Sequence, residues 1–335
     1  MNSLIKTTTL PALAIAVSLG MSVSMNASTA NAAWKPTKKV EISVTCKPGC
    51  GPDRIARMIQ KIWKTEGIVE QDVIVHNKSG GGGAIQLNYI NSHPGDGHYL
   101  GVGSASALTT YLTGRTKIGI KQMTPLVVLV TEYIVTAVKG DSPIKDAKDL
   151  LARIKADPQS ISIGTATSRG NANHQAISMA ALRAGIDPKK LKFVIFQSGR
   201  IGRTNLLGGH VQVAQSSAGG FLKHHKKGKL RILAVSSPTR LGGPAKNVPT
   251  WKESGLDVEV GNFRSMFGPK GLNKDQIKYW EDVFKKTVKS KTFQKSLKKR
   301  QMKNTFMDHK TFMAFLVKKE KQMREVLGAL GILKN

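Results

Sequence analysis

Four short stretches rich in glycine, serine, threonine and asparagine carry most of this chain's capacity to hold a ligand. They are Lys47-Pro48-Gly49-Cys50-Gly51-Pro52-Asp53, Asn77-Lys78-Ser79-Gly80-Gly81-Gly82-Gly83, Gly103-Ser104-Ala105-Ser106, and Thr165-Ala166-Thr167-Ser168-Arg169-Gly170-Asn171-Ala172-Asn173-His174. Their shared chemistry is donation. Backbone N–H groups beside glycine, hydroxyls and amides offer hydrogen bonds to an oxyanion without any proton transfer. Taken singly, each stretch also reads as a plain tight turn. Gly80 to Gly83 has neither the G-K-[ST] of a phosphate loop nor the G-x-G-x-x-G of a dinucleotide site. Lys47, Arg169 and Arg200 bring positive charge to these regions, although a surface cation is more often simply solvated. Asp53 is the one acid in the four stretches, and at a helix start its default task is to face the helix dipole.

The chain has two cysteines, Cys46 and Cys50, four residues apart across a Pro-Gly turn. An oxidising compartment permits a disulfide, but so small a ring must meet tight distance limits. A bridge and a pair of thiols both remain open. A metal site is the least favoured reading, since C-x3-C alone is no zinc signature. His93 and His98, like His224 and His225, read as solvated surface. His174 opens a helix beside Asn171 and Asn173, and is equally suited to donate to a ligand or to cap that helix. There is no G-x-S-x-G, no C-x-x-C and no carboxylate pair within a loop, so neither an α/β hydrolase nor any other enzyme is expected, and no cofactor or metal.

The elements that would position these loops follow from periodicity. Val40 to Val44 alternates as a strand; Arg54 to Lys64 has helical spacing through Ile55, Met58, Ile59 and Ile62; Asp72 to His76 is a second strand. A helix over Ala84 to Ser92 and a strand over Tyr99 to Gly103 complete a βαβ grammar, which implies a mostly parallel sheet with helices on its faces. Leu126 to Val138 is a long apolar β-type run, long enough to leave one domain and enter another. A helix over Ile144 to Ala156 follows, then strands at Ser160 to Gly164, Lys192 to Phe196, Val211 to Ala214 and Arg231 to Val235. Helices are expected at His174 to Ala184 and Ile201 to Leu207. Gly261 to Phe267 returns to strand, and from Lys274 the spacing predicts helix to the end. The βαβ pattern occurs twice, which fits two similar α/β lobes. In open parallel sheets ligands bind beyond the carboxyl ends of strands, and the four donor-rich stretches each follow a predicted strand there.

Composition narrows the class. Of 335 residues, 40% are hydrophobic and 22% charged, as in an ordinary globular protein. The charge is lopsided, with 52 basic against 21 acidic residues and a net +31. So basic a chain prompts a nucleic-acid reading, but Lys and Arg are spread along it and no RNP stretch, zinc-finger spacing or basic zipper appears. A solvated basic surface, or steering of an anionic ligand, fits better. At the amino terminus, Lys6, the mostly apolar Leu10 to Met25 and Ala30-Asn31-Ala32 have the order of a secretory signal peptide with an A-x-A cleavage site. Residues 1–32 are therefore expected to be removed on export, which also takes the protein away from nucleic acid. No later run is long and apolar enough to span a membrane.

Six motifs, in order, resemble one family. Val44 to Asp53 resembles the V-P-F-x-P-G-G-G-x-D opening of Bug-type receptors, the extracytoplasmic solute-binding proteins of tripartite tricarboxylate transporters. Asn77 to Gly83 is similar to that family's N-x-x-G-x-G-G, and Pro94 to Tyr99 to its P-D-G-Y with one residue inserted. Gly170-Asn171-Ala172-Asn173-His174 resembles G-S-x-x-H, Leu206 to Val211 matches L-L-G-G-x-V, and Asn247 to Leu256 matches V-P-T-x-x-E-x-G-L. The order holds from about residue 38 to 330. The sequence departs from the pattern at Cys46 (for an aromatic), Cys50 (for glycine), Gln212 (for an acid) and Gln215-Ser216-Ser217 (for a D/N-type loop).

The resemblance implies a type II periplasmic-binding-protein fold, an α/β architecture of two Rossmann-like lobes joined by a strand hinge. Lobe 1 is expected to take residues 33–135 plus 237–335 and lobe 2 residues 136–236, hinged in the crossing strands near Val135 and Val235. It implies a periplasmic, monomeric receptor that captures a small anionic solute, a carboxylate, using mostly main-chain and hydroxyl donors, and delivers it to the membrane permease of a tripartite tricarboxylate transporter. The residues expected to line the ligand are Lys47, Gly49, Gly51, Asp53, Asn77, Gly81, Ser104, Ser106, Thr167, Ser168, Arg169, Asn171, His174 and Gln215. An exported basic surface or adhesive protein is the main alternative.

Overall fold

A computed structural model describes residues 33–166 and 169–334. The export signal expected over residues 1–32 and the loop donors Thr167 and Ser168 lie outside the described residues. Within them the chain runs β1 (Val40–Val44), α1 (Gly51–Glu66), β2 (Val73–Asn77), α2 (Ala84–Asn91), β3 (Tyr99–Ser104), α3 (Ala105–Leu112), β4 (Thr124–Lys139) and α4 (Ala147–Ala156). It continues through β5 (Ser162–Ala166), α5 (Ala172–Arg183), β6 (Lys192–Phe196), α6 (Gly199–Leu207), β7 (Val213–Ser217), α7 (Ala218–Lys226) and β8 (Leu230–Val235). Last come β9 (Gly261–Gly268), α8 (Lys274–Lys289), α9 (Lys291–Arg300), β10 (Lys303–Met307) and α10 (His309–Ala329).

The strands pair in the order β2-β1-β3-β9-β4-β7-β5-β6, with β10 and β8 also joined to β4. β1 is parallel to β2 and β3, and β5 is parallel to β6 and β7. β9 runs antiparallel between β3 and β4. The apolar run that forms β4 owes its continuity to this placement. Its first part, Thr124 to Tyr133, pairs with β9, while Ile134 to Lys139 pairs with β7 and β8. A strand covered on both faces has no solvent side on which polar residues would alternate. Where β4 changes partners, Ser236 ties the strands together. Its buried hydroxyl accepts from the Ile134 N–H at 3.1 Å and donates to the Val260 carbonyl at 2.7 Å.

Local signals explain most boundaries. Pro52 sits in the first turn of α1, where its missing N–H costs nothing, and Ile55, Ile59, Ile62 and Trp63 form its buried face. Trp63 stacks on Trp280 of α8 with centroids 5.5 Å apart, and Phe284 packs beside both. One expectation is corrected. The region after Lys274 is not helical to the end, because Lys303–Met307 forms β10, antiparallel to β4. Gln301 ends α9 in the left-handed region (φ 53°), and Asp308 caps α10 by accepting from the Thr311 N–H at 2.8 Å. Five residues between two amphipathic helices carry too little pattern to be told apart; pairing with β4, including a Thr131–Thr305 hydroxyl bond of 2.8 Å, decides them. α3 and α7 also form where no helix is expected, each starting directly at a strand end.

Candidate functional site

The loop between β1 and α1 is tied from inside. Cys46 and Cys50 are bonded through their sulfurs, with Cα atoms 6.3 Å apart. Asp53, 1% exposed, turns its carboxylate back into the loop. It accepts from the Gly49 N–H at 2.8 Å, from the Asn77 amide at 3.0 Å, and from Arg57 Nε at 3.0 and 3.1 Å. Asn77 also donates to the Cys46 carbonyl at 2.8 Å and accepts from Arg57 Nη2 at 3.2 Å. Burial pushes the Asp53 carboxyl up, but the Gly49 N–H, the Asn77 amide and the Arg57 guanidinium outweigh it and hold the group below the usual carboxylate range. Asp53 and Asn77 therefore spend their bonds on shaping the loop. Gly49 and Lys47 remain exposed at its tip, and Gly51 opens α1.

The next loop needs its glycines. Gly80, Gly81, Gly82 and Gly83 all have positive φ (134°, 56°, 67° and 113°), a run that residues with a Cβ do not sustain. Thr110 of α3 fixes the turn by donating to the Gly82 carbonyl at 2.7 Å. Ser104 ends β3 and caps α3, its hydroxyl accepting from the Ser106 N–H at 3.3 Å; Ser106 itself is half-buried in the first turn.

On the other side of the crossing strands, Asn171 caps α5 by accepting from the His174 N–H at 3.0 Å, and its amide donates to the Ala166 carbonyl. The Thr109 hydroxyl of α3 donates to the Gly170 carbonyl at 3.1 Å, and Gln175 donates to the same carbonyl at 2.6 Å. Helix α3 and the loop that leads into α5 are thereby brought into contact. His174 does not act as its helix's cap. Its Nδ1 accepts from the Gly170 N–H at 2.8 Å, its ring stands edge-on to Phe193, and Nε2 is unpartnered. Burial, and then the charge of Arg169, push it down to about 4. It lines a cavity of about 80 Å³ with Arg169, Lys189, Phe193 and Leu330. Gln215, 2% exposed, accepts from the Thr136 hydroxyl at 3.0 Å while its Nε2 is unpartnered, as is the Thr165 hydroxyl on the neighbouring strand.

Charged residues outside the expected set also gather at the β1–α1 loop. Arg264 of β9 donates to Glu132 of β4 at 2.5 Å. Its Nη2 lies 3.0 Å from where a Cβ on Gly51 would stand. Arg54 of α1 donates to the Gly49 carbonyl at 2.8 Å. The sequence did carry a signal for two of these. Glu132 is the one charge in the interior of a mostly apolar strand and Arg264 the one charge in β9, and a charge in such a place needs a reason.

Close backbone approach joins α7 to α9. A Cβ on Gly219 would stand 2.4 Å from the Arg300 carbonyl oxygen. Gly219→Ala should therefore lower the unfolding free energy by about 1–3 kcal/mol, measured by urea unfolding; unchanged stability would mean the two helices part freely.

Comparison with known proteins bears on the family and the fold. The family model described as tripartite tricarboxylate transporter family receptor matches residues 55–332. A UPF0065 protein from the gbd 5' region of Cupriavidus necator is 28% identical over 272 residues, covering 80% of each chain. Among solved structures, the periplasmic binding protein BugD superposes with a TM-score of 0.73 at 23% identity, over 90% of this chain and all of that one. Rhodopseudomonas palustris Rpa4515 with adipate gives 0.76 at 20% identity, over 89% of this chain and 99% of that one. These likenesses establish a periplasmic-binding-protein fold.

Proposed function

The chain belongs to the tripartite tricarboxylate transporter receptor family, a family of binding receptors rather than enzymes, and from that premise we propose that it captures a small carboxylate in the periplasm and delivers it to the membrane permease of such a transporter. One observation carries the reading. β1, β3 and β5 are each followed by the N-terminus of a helix, and α3 meets the loop that leads into α5 through Thr109 and Gly170. Helix N-termini present unpaired N–H groups and a positive dipole end, which suit an anion. The adipate of Rpa4515 is a ligand of the same chemistry.

Two lobes, 33–135 plus 237–335 and 136–236, would close on the ligand by a hinge near Val135 and Val235. The change of partner along β4 after Tyr133 supports that placement. Gly49, Gly51, Gly81, Ser104 and Ser106 would face the ligand from lobe 1. Arg169 and Asn171 would do so from lobe 2, together with Gln215; Thr167 and Ser168, also expected there, lie outside the described residues. The receptor works as a monomer in this reading.

A thermal-shift screen of the purified protein tests it. A carboxylate at a hundred times its Kd should raise Tm by about 5 °C. A response confined to neutral or cationic compounds would refute the anion reading. Salt-sensitive binding to anionic polymers, with no small-molecule response, would support the adhesive alternative.

A further inference from the structure

Arg264 is a charged residue in a buried strand, opposite Ser104 on β3 and Val130 on β4. It is 7% exposed; Nη2 is bound to Glu132, and Nε is unpartnered. A buried guanidinium nitrogen without an acceptor is costly. The group beside it is not a natural neighbour for a cation. Its Nη2 abuts Gly51, the first residue of the 16-residue α1, and a helix N-terminus carries roughly half a positive charge.

Further cations surround the pair. Arg54, in the first turn of α1, is held below its ordinary value by burial first and then by Arg300, with Arg264 and Arg200 acting in the same direction and Glu132 against them. Arg300 ends α9, and Arg200 lies in the first turn of α6. Arg203, one turn along α6, is pushed down by burial and by Arg200. Three further guanidiniums, from three other elements, and one carboxylate thus act on Arg54. Exposed arginines alone would be solvated surface. A nine-tenths buried arginine with an unpartnered nitrogen among them is not.

We propose that Arg264, with Arg54, Arg200 and Arg300 around it, forms a guanidinium-based anion subsite at the N-terminus of α1, and that the ligand is therefore an oxyanion carrying at least two negative charges. One anionic group takes the unpartnered Nε of Arg264 and the first N–H groups of α1, while Glu132 keeps Nη2 in place. This rests on the receptor reading above, and it adds charged donors to a site otherwise built from main-chain and hydroxyl groups. A planar carboxylate and a tetrahedral phosphate both match a guanidinium edge.

The test is calorimetric titration, at one fixed ionic strength, of butyrate, succinate, propane-1,2,3-tricarboxylate and phosphoglycolate. Affinity should rise about tenfold or more from butyrate to the multiply charged ligands. Arg264→Gln should remove most of that gain. Because that substitution also strips Glu132 of its partner, Arg54→Gln on the exposed face of α1 serves as the second variant and should reduce the gain several-fold. Glu132→Gln should tighten multiply charged ligands, which a purely structural ion pair would not do. Tighter binding of either succinate or phosphoglycolate supports the subsite and assigns its preferred oxyanion. Butyrate binding as tightly as the others, or wild-type affinity in both arginine variants, overturns the subsite and leaves the receptor reading standing. Failure of every anion overturns both.

Discussion

Asp53→Ala should unfold about 2–3 kcal/mol more easily than the parent protein and bind its carboxylate roughly tenfold more weakly. The carboxylate is the shared acceptor for the Gly49 N–H, the Asn77 amide and the Arg57 guanidinium. Removing it leaves three donors facing a space they cannot all rehydrate. The loss stays below that of a fully buried ion pair because Arg57 is 47% exposed and can return to water. Urea unfolding and titration of the same variant check both parts; full affinity with lowered stability would mean the loop does not shape the site.

The same group sets an acid-side pH dependence. Because Asp53 is held below its ordinary value when folded, the unfolded chain takes up its proton first as pH falls. Its contribution is complete above about pH 5 and is lost as pH drops through the folded value. Asp96 behaves likewise. Burial pushes it up, but the His98 N–H, the His98 ring and Lys38 outweigh that and bring it down to about 2. His174, pushed down to about 4 by burial and Arg169, starts earlier. Its neutral form is favoured on folding, so stability begins to fall below about pH 6.5, where the unfolded imidazole protonates. In urea titrations from pH 7 to 3, the gap between parent and Asp53→Ala should narrow as the pH falls.

Trp280→Ala should be the most damaging of these changes, costing about 3–5 kcal/mol. The side chain is fully buried, stacked on Trp63 and near Trp34, Tyr279 and Phe284. Its Nε1 donates to the Gly97 carbonyl at 2.9 Å, while Trp63 donates to Thr287 at 2.7 Å. Alanine would leave a large cavity and an unpartnered carbonyl in the core beneath α1. Thermal unfolding checks this, and Trp280→Phe should recover most of the packing but not the hydrogen bond. A loss below about 1 kcal/mol would mean that the cluster refills the space.

The reach of the sequence differs between the fold and the site. The parallel βαβ units were legible because buried strands and amphipathic helices leave different periods, and because Pro52 and the glycine run Gly80 to Gly83 mark chain reversals. β10 was hidden, since a five-residue strand flanked by amphipathic helices has no period of its own. At the site, the sequence identified donor-rich loops but could not assign their bonds. Asp53 and Asn77 are spent inside their own loop, and His174 faces a small cavity lined by β6 and the C-terminal turn.

By itself, the sequence determined the residue types at each strand end, the excess of positive charge and the order of motifs that marks the receptor family. Those are local or compositional properties, readable without knowing which segments touch. Only the tertiary structure decided that Arg264 and Glu132, far apart in the chain and set in apolar strands, meet beside Gly51 with Arg54. It also placed Arg200 and Arg300, from two further helices, close enough to act on the same group. The balance of charge in a binding site is a sum over whatever the fold brings within a few ångströms, and Coulomb interactions follow distance in space rather than in sequence.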